Sequence, residues 1–156
     1  MESLNSIIEI RIADVTDLDI IIANNIEMSE EAENETLDQA TISHGVEEVL
    51  HNAHLGWYYL AEIDGNNAGQ LMITREWSDR RNGYFWWIQS VFVHKEHREK
   101  DLYTVLYEHV VTRAKNMGAV GLRLCVDSKD KHTQKVYEQL GVKNSHYLFY
   151  EEDWPK

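Results

Sequence analysis

The sequence predicts an α/β (α+β) fold: a mixed, mostly antiparallel sheet with helices on both faces. Three features predict it. Apolar, strand-like runs in the middle of the chain are joined by short polar turns, which implies hairpins. Strand-like and helix-like runs then alternate toward the C-terminus, which implies crossover units. Finally, the 156 residues contain no internal repeat, low-complexity segment or linker, and the sole proline is Pro155. A single domain over 1–156 with a sizeable core is expected.

The elements follow in the order β-α-α-β-β-β-α-β-α-β. "IIEIRIA" (7–13) is a first strand. "DVTDLDIIIANNIEM" is a helix, with Thr16 and Asp19 spaced as a capping box and Leu18, Ile21, Ile22 and Ile26 marking one face. "ETLDQATISHGVEEVLHNA" is a second helix that starts near Thr36 or Asp38, with Gly45 as a weak point. "GWYYLAEID" and "AGQLMITREW" are hairpin strands around the turn "GNN". After the loop "SDRRNG", "YFWWIQSVFV" is a long strand, apolar on both faces and therefore central and buried. "DLYTVLYEHVVTRAKNMG" places Leu102, Val105, Leu106, Val110 and Met117 at helical spacing and stops on Gly118. "AVGLRLCVD" is a strand, "KDKHTQKVYEQLG" a short helix ended by Gly141, and "SHYLFYEE" a last strand.

Composition narrows the partners. Apolar content is 43% and charged content 27%, the values of an ordinary globular protein. A formal net charge of −12 repels polyanions, so nucleic acid and anionic membrane surfaces are not expected as partners. A cationic small molecule or basic peptide is easier to accommodate. No apolar run is long enough to span a membrane, and "MESLNSIIEI" has no basic and apolar leader pattern. A cytoplasmic location is the default expectation. Cys125, the single cysteine, sits in a strand-like run as a small core residue.

"HREKDLYT" (97–104) joins a central strand to a helix. A helix start presents unpaired N–H groups and about half a positive charge, which suits a phosphate. Arg98 and Lys100 add cations and Thr104 a hydroxyl. Asp101 opposes this: a carboxylate about 5 Å from a phosphate costs roughly 1–3 kcal/mol. Aspartate is also a good N-cap, able to satisfy the same N–H groups. An anion site and a plain capped helix both fit these residues.

The spacing carries a resemblance. "VFVHKEHREKDLYTVLYEHV" resembles the acyl-CoA-binding motif of the GNAT N-acetyltransferase superfamily, a strand ending V-x-V followed by Q/R-x-x-G-x-G/A at a helix start. Arg98 matches Q/R, while Asp101 and Tyr103 stand where glycines are expected. "VDSKDKHTQKVYEQLGV" resembles the second family motif, N-x-x-A-x-x-x-Y, with Asp130, Thr133 and Tyr137 at its three positions. "EWSDRRNGYFWWIQSVFV" is similar to a stretch carried by one subgroup of small bacterial-type members, and the element order is the family's.

The resemblance implies an enzyme that uses acetyl-CoA as co-substrate and acetylates a primary amine by direct attack in a ternary complex. It implies that the backbone of Val91, Phe92 and Val93 holds pantetheine, with the amide near Val91 polarising the thioester carbonyl. It implies pyrophosphate binding by Arg98 and the segment Glu99, Lys100, Asp101, Leu102, Tyr103 and Thr104. Asp130 and Thr133 complete the cofactor-binding set, and Tyr137 would protonate the leaving thiolate. The replacements at Asp101, Tyr103 and Asp130 suggest an alternative, a GNAT-fold binding or regulatory module without catalysis. Exposed strand edges in this fold support dimers, so a homodimer is one option.

Other residues are less directive. "YFWWIQSVFV" lacks a carboxylate base, which leaves Glu76 and Asp79 as candidates beside a solvated-loop reading. Glu27, Glu30, Glu31, Glu33, Glu35 and Asp38 could steer a cationic amine, or form a solvated helix end. His51 with His54, and His94 with His97, have metal-compatible spacing but no third ligand, so no metal is expected. Trp77 and one of Trp86 and Trp87 are candidates for an acceptor wall, because neighbouring strand residues point to opposite faces.

Overall fold

A computed structural model describes residues 7–32 and 37–155, with the backbone alone for Glu99 and Lys100. The described residues up to Cys125 form one compact unit and those from Val126 onward a second. Thr36, Glu33 and Glu35 lie outside the described residues.

The first unit holds strands β1 (Ile8–Ile12), β2 (Trp57–Ile63), β3 (Asn66–Ser78), β4 (Gly83–Val93) and β5 (Gly121–Leu124). It also holds helices α1 (Leu18–Glu31), α2 (Gln39–His51) and α3 (Leu102–Asn116). The sheet order is β1-β2-β3-β4-β5, antiparallel except for the parallel β4–β5 pair. The predicted hairpins are present, but the first turn is Asp64–Gly65, both at positive φ, with Asn66 already in β3. That is the backbone of a two-residue primed turn, which Asp-Gly supplies.

The helices cover opposite faces. Tyr58 and Leu60 of β2 pack with Ile21 of α1 and Val46 of α2. Tyr59, between them, meets His109 of α3 edge-on with ring centroids 5.2 Å apart. Side-chain alternation therefore assigns α1 and α2 to one face and α3 to the other.

The capping box falls earlier than predicted. Asp14 and Asp17 form it around a short 3-10 turn before α1, with Thr16 N–H donating to Asp14 at 2.8 Å and Asp14 N–H to Asp17 at 2.9 Å. Asp17 is buried and takes two guanidinium bonds from Arg11, at 2.7 and 2.8 Å. Those bonds, chiefly, hold its carboxyl below the usual carboxylate range. For α2, Asp38 is the N-cap and accepts from Thr41 N–H at 2.9 Å.

The second unit contains α4 (Lys131–Gln139). The strand expected over 145–152 is absent, and 142–155 carries no regular element. A strand needs a bonded neighbour, and α4 is the unit's sole regular element among the described residues. Tyr147, Leu148, Phe149 and Tyr150 are instead exposed.

Candidate functional site

The site begins with an irregularity in β4. Its register against β3 runs Gly69 to Val93 and Gln70 to Phe92, then jumps to Met72 opposite Gln89. Two steps on β3 thus oppose three on β4, which is a bulge, and Ser90 within it has φ +50°. Opposite the bulge, Gly69 lets the strands close up: a Cβ there would stand 2.8 Å from the Phe92 carbonyl oxygen.

The bulge coincides with a parting of strands. β4 pairs with β5 from Phe85 to Ile88, and no strand among the described residues continues that pairing toward Val93. His94 N–H donates to Ala68 of β3, so alternation turns the backbone of Val93 and Val91 toward the open edge. The Val93 carbonyl is already used, accepting from Arg98 Nε at 2.9 Å. Phe92 points inward and is buried, beside His94 with ring centroids 5.1 Å apart. Its side chain contributes core packing, while the role expected of the segment is one of its backbone.

β4 is not buried on both faces, contrary to expectation. Trp86, Ile88 and Phe92 are buried, but Phe85 and Trp87 are half-buried and Gln89 is exposed. Register places Thr74, Glu76, Phe85, Trp87 and Gln89 on the α1/α2 face. Gln89 donates to Thr74 Oγ1 at 2.5 Å and Trp87 Nε1 to Glu76 at 3.4 Å. Arg123 of β5 pairs with Glu76 at 2.5 Å and lies 3.7 Å above the Phe85 ring. Glu76, a candidate base, is thus committed to a cation, while Asp79 is exposed in the β3–β4 turn. Trp77 is on the α3 face with Trp86, against Tyr84 at 5.0 Å, so of the candidate tryptophans only Trp87 lies on the α1/α2 face.

After β4 a 3-10 turn (Lys95–Lys100) leads to Asp101 at φ 56°, ψ 25°, and α3 follows. Asp101 therefore occupies the left-handed conformation that a glycine takes most readily, at a cost of roughly 1–2 kcal/mol. It stands at the N-cap position, yet its side chain makes no cap bond to the backbone. Its side chain accepts from Thr104 Oγ1 at 3.4 Å. The plain capped-helix reading is thereby overturned: the Asp101 carboxylate makes no cap bond to the start of α3.

Arg98 is engaged within the chain. Its Nη2 pairs with Glu31 of α1 at 2.6 Å, and Lys95 approaches the same carboxylate at 3.8 Å. His94 Nδ1 lies 3.9 Å from Glu27. The acidic end of α1 thus binds the loop's cations, which occupies part of the charge expected to steer an amine. The Glu99 and Lys100 side chains lie outside the described residues.

In the second unit, Asp130 caps α4. Thr133 donates to it from both Oγ1, at 2.6 Å, and N–H, at 3.0 Å, which holds its carboxyl below the usual range. Tyr137, on the same helix, is buried. Among the described residues no group of three His, Cys, Asp or Glu could hold a metal ion. No described helix is long and apolar enough to cross a membrane. Cys125 is exposed, not a core residue.

Sequence reading missed a buried amide cluster behind the bulge. Gln70 is fully buried, and Asn24 nearly so. Asn24 Nδ2 donates to Gln70 Oε1 at 3.0 Å and to Asn67 Oδ1 at 3.1 Å. Gln70 Nε2 donates to the Ser90 carbonyl at 3.2 Å. The signal was available: Asn24 falls three residues after Ile21 on the apolar face of α1, and Gln70 interrupts an apolar strand.

A strand edge opened by a bulge and running into a helix start agrees with what the sequence comparison finds. Residues 20–142 match the acetyltransferase (GNAT) family. The chain belongs to the GNAT family. Its structure is similar to that of a possible acetyltransferase from Clostridium difficile 630, at 35% identity and TM-score 0.89, covering 96% of this chain and 99% of the other. It shares its fold with a predicted acetyltransferase with acetyl-CoA from Clostridium acetobutylicum (16% identity, TM-score 0.77, 94% and 96% covered). The same fold occurs in the ribosomal-protein-alanine N-acetyltransferase of Brucella melitensis biovar Abortus 2308 (15% identity, TM-score 0.79, 96% and 100% covered). No curated protein matches the sequence. The GNAT family's activity is acetyl transfer, and the mixed sheet with helices on both faces is the family's fold.

Proposed function

We propose that this GNAT chain transfers acetyl from acetyl-CoA to a primary amine of a small cationic molecule or basic peptide, by direct attack in a ternary complex. The observation that carries the reading is the open β4 edge at Val91 and Val93, continuing into a helix start whose amides Asp101 leaves uncapped. These groups fit the donor: extended backbone donors suit an amide-bearing pantetheine arm, and a helix start such as that of α3 suits a pyrophosphate. When bound, acetyl-CoA supplies the electrophilic thioester carbonyl. The Val91 amide would polarise that carbonyl, and Tyr137 would give its phenolic proton to the departing sulfur. Tyr137 enters on its motif position, and Asp130 and Thr133 as the cap that starts its helix.

A binding or regulatory module that does not turn over is the second reading. It is favoured by the Asp101 carboxylate beside the helix start and by the pairing of Arg98 with Glu31.

Calorimetric titration of CoA, together with thiol release from acetyl-CoA across a panel of primary amines, separates the two. Dissociation constants on the order of micromolar with amine-dependent thiol release are expected. Absence of both would overturn the enzyme reading. Tyr137→Phe should lower turnover by roughly a hundredfold with CoA affinity retained.

A further inference from the structure

We infer that Asn24 and Gln70 are positioning residues for acyl transfer: through the Ser90 carbonyl they fix the β4 bulge that turns the Val91 amide to the open edge. The inference rests on the acetyl-CoA reading above and deepens it.

The bulge removes backbone groups from the β3–β4 ladder, and Ser90 there is half-buried, so its carbonyl gains from a donor within the protein. Gln70 Nε2 supplies that donor to Ser90, at 3.2 Å from a fully buried side chain. The amide is held in orientation by its other end, since Gln70 Oε1 accepts from Asn24 at 3.0 Å. Asn24 is fixed in turn, donating at 3.1 Å to Asn67, whose own amide donates to the Gly69 carbonyl at 3.0 Å. The chain of amides therefore runs from α1 through β3 to the bulge.

The neighbours on that face are Ile21, Leu60 and Met72, against which an apolar side chain would pack, but it would leave the Ser90 carbonyl without this donor. A polar pair here supplies it in a fixed orientation. It sets the backbone at Ser90, held at φ +50°, and the next residue is Val91. A donor aimed at a developing negative charge is effective only if its position is fixed before reaction.

The test uses Gln70→Met, which keeps length and removes the donor, and Asn24→Ala, which leaves Gln70 in place without its anchor. In the free protein, the Ser90 three-bond HN–Hα coupling and the Val91 amide shift report the bulge without reference to activity. Both should change in each variant. Turnover of acetyl-CoA with an amine should fall about tenfold or more, with CoA affinity within about threefold of the parent. Unchanged Ser90 and Val91 signals would overturn the inference. A fall in melting temperature with turnover intact would reduce the pair to a structural role and overturn it equally. If the parent itself neither binds CoA nor turns over, the acyl-transfer role falls with the function proposed above, and the NMR signals still decide whether the amides hold the bulge. Should Gln70→Met fail to fold, Asn24→Ala carries both measurements.

Discussion

The two ends of the candidate site are held by different physics. At the β4 edge, the functional groups are backbone, and their support is a buried chain of amides from Asn24 to Ser90. At the loop from His94 to Asp101, the support includes ion pairs of Lys95 and Arg98, both exposed, onto Glu31. Buried, satisfied amides specify one geometry, whereas exposed pairs are worth about 0–1 kcal/mol and are screened by salt. The edge should therefore tolerate side-chain change and fail on loss of an N–H. The loop should respond to charge, gradually and in a salt-dependent way.

The largest expected effect tests the edge. Val91→Pro removes the N–H at the open edge and, because proline disfavours the φ +50° of the preceding Ser90, also disturbs the bulge that positions it. Acetyl transfer should fall by about a hundredfold or more. Val91→Ala, which keeps the amide, should change turnover by less than about threefold. Equal losses in the two variants would show that the side chain, not the backbone, matters there.

The next effect concerns the start of α1, the helix that contributes to both ends. Its anchor is Asp17, which accepts both guanidinium bonds from Arg11 and is 3% exposed. Because its folded pKa is lowered, the ionised form is favoured by folding. The resulting stability is present above the unfolded value near 3.9 and is lost as pH falls through the lower folded value. Asp17→Asn should destabilise at neutral pH by about 1–3 kcal/mol and flatten the acid limb of the stability profile. Urea unfolding from pH 7 down to about pH 2 would read both, and an unaltered acid limb would assign the acid sensitivity elsewhere.

Asp101 comes next and can be divided into two parts. Asp101→Asn removes the charge and keeps a residue that tolerates the left-handed backbone. It should tighten CoA binding by about fivefold, or about 1 kcal/mol. Asp101→Gly should add about 1 kcal/mol of stability by relieving the backbone at φ 56°. An affinity unchanged in both variants would place the carboxylate away from the phosphates, as its contact with Thr104 already permits.

Much of this was legible in the sequence, for identifiable reasons. Period-two and helical patterns respond to burial, so the hairpins and the long helices were found. The left-handed backbone at Asp101 was not foreseen, although the motif that the segment resembles places a glycine there. The β4 bulge was not legible, since one extra residue leaves the composition of "WWIQSVFV" unchanged. The amide cluster was missed because Asn24 and Gln70 look like ordinary polar residues until their registers against apolar neighbours are counted. The strand expected over 145–152 was misread for the opposite reason: alternation reports a face that could be buried, but cannot supply the neighbour that bonds the backbone.

Glu31 gives the smallest effect and the sharpest contrast between the two ends. Its carboxylate holds Arg98 Nη2 at 2.6 Å, but Arg98 is also tethered by Nε to the Val93 carbonyl at 2.9 Å. Glu31→Gln should therefore release one face of the guanidinium without releasing the side chain from β4. CoA affinity should rise about two- to fivefold at low ionic strength, and the gain should vanish by about 0.5 M salt. Weaker binding would mean that Glu31 orients Arg98 for the anion, making the loop as preorganised as the bulge. Either sign leaves the β4 edge unaffected, so the Val91 amide shift should not move in Glu31→Gln. A shift there would couple the two ends through α1, the helix that carries both Asn24 and Glu31.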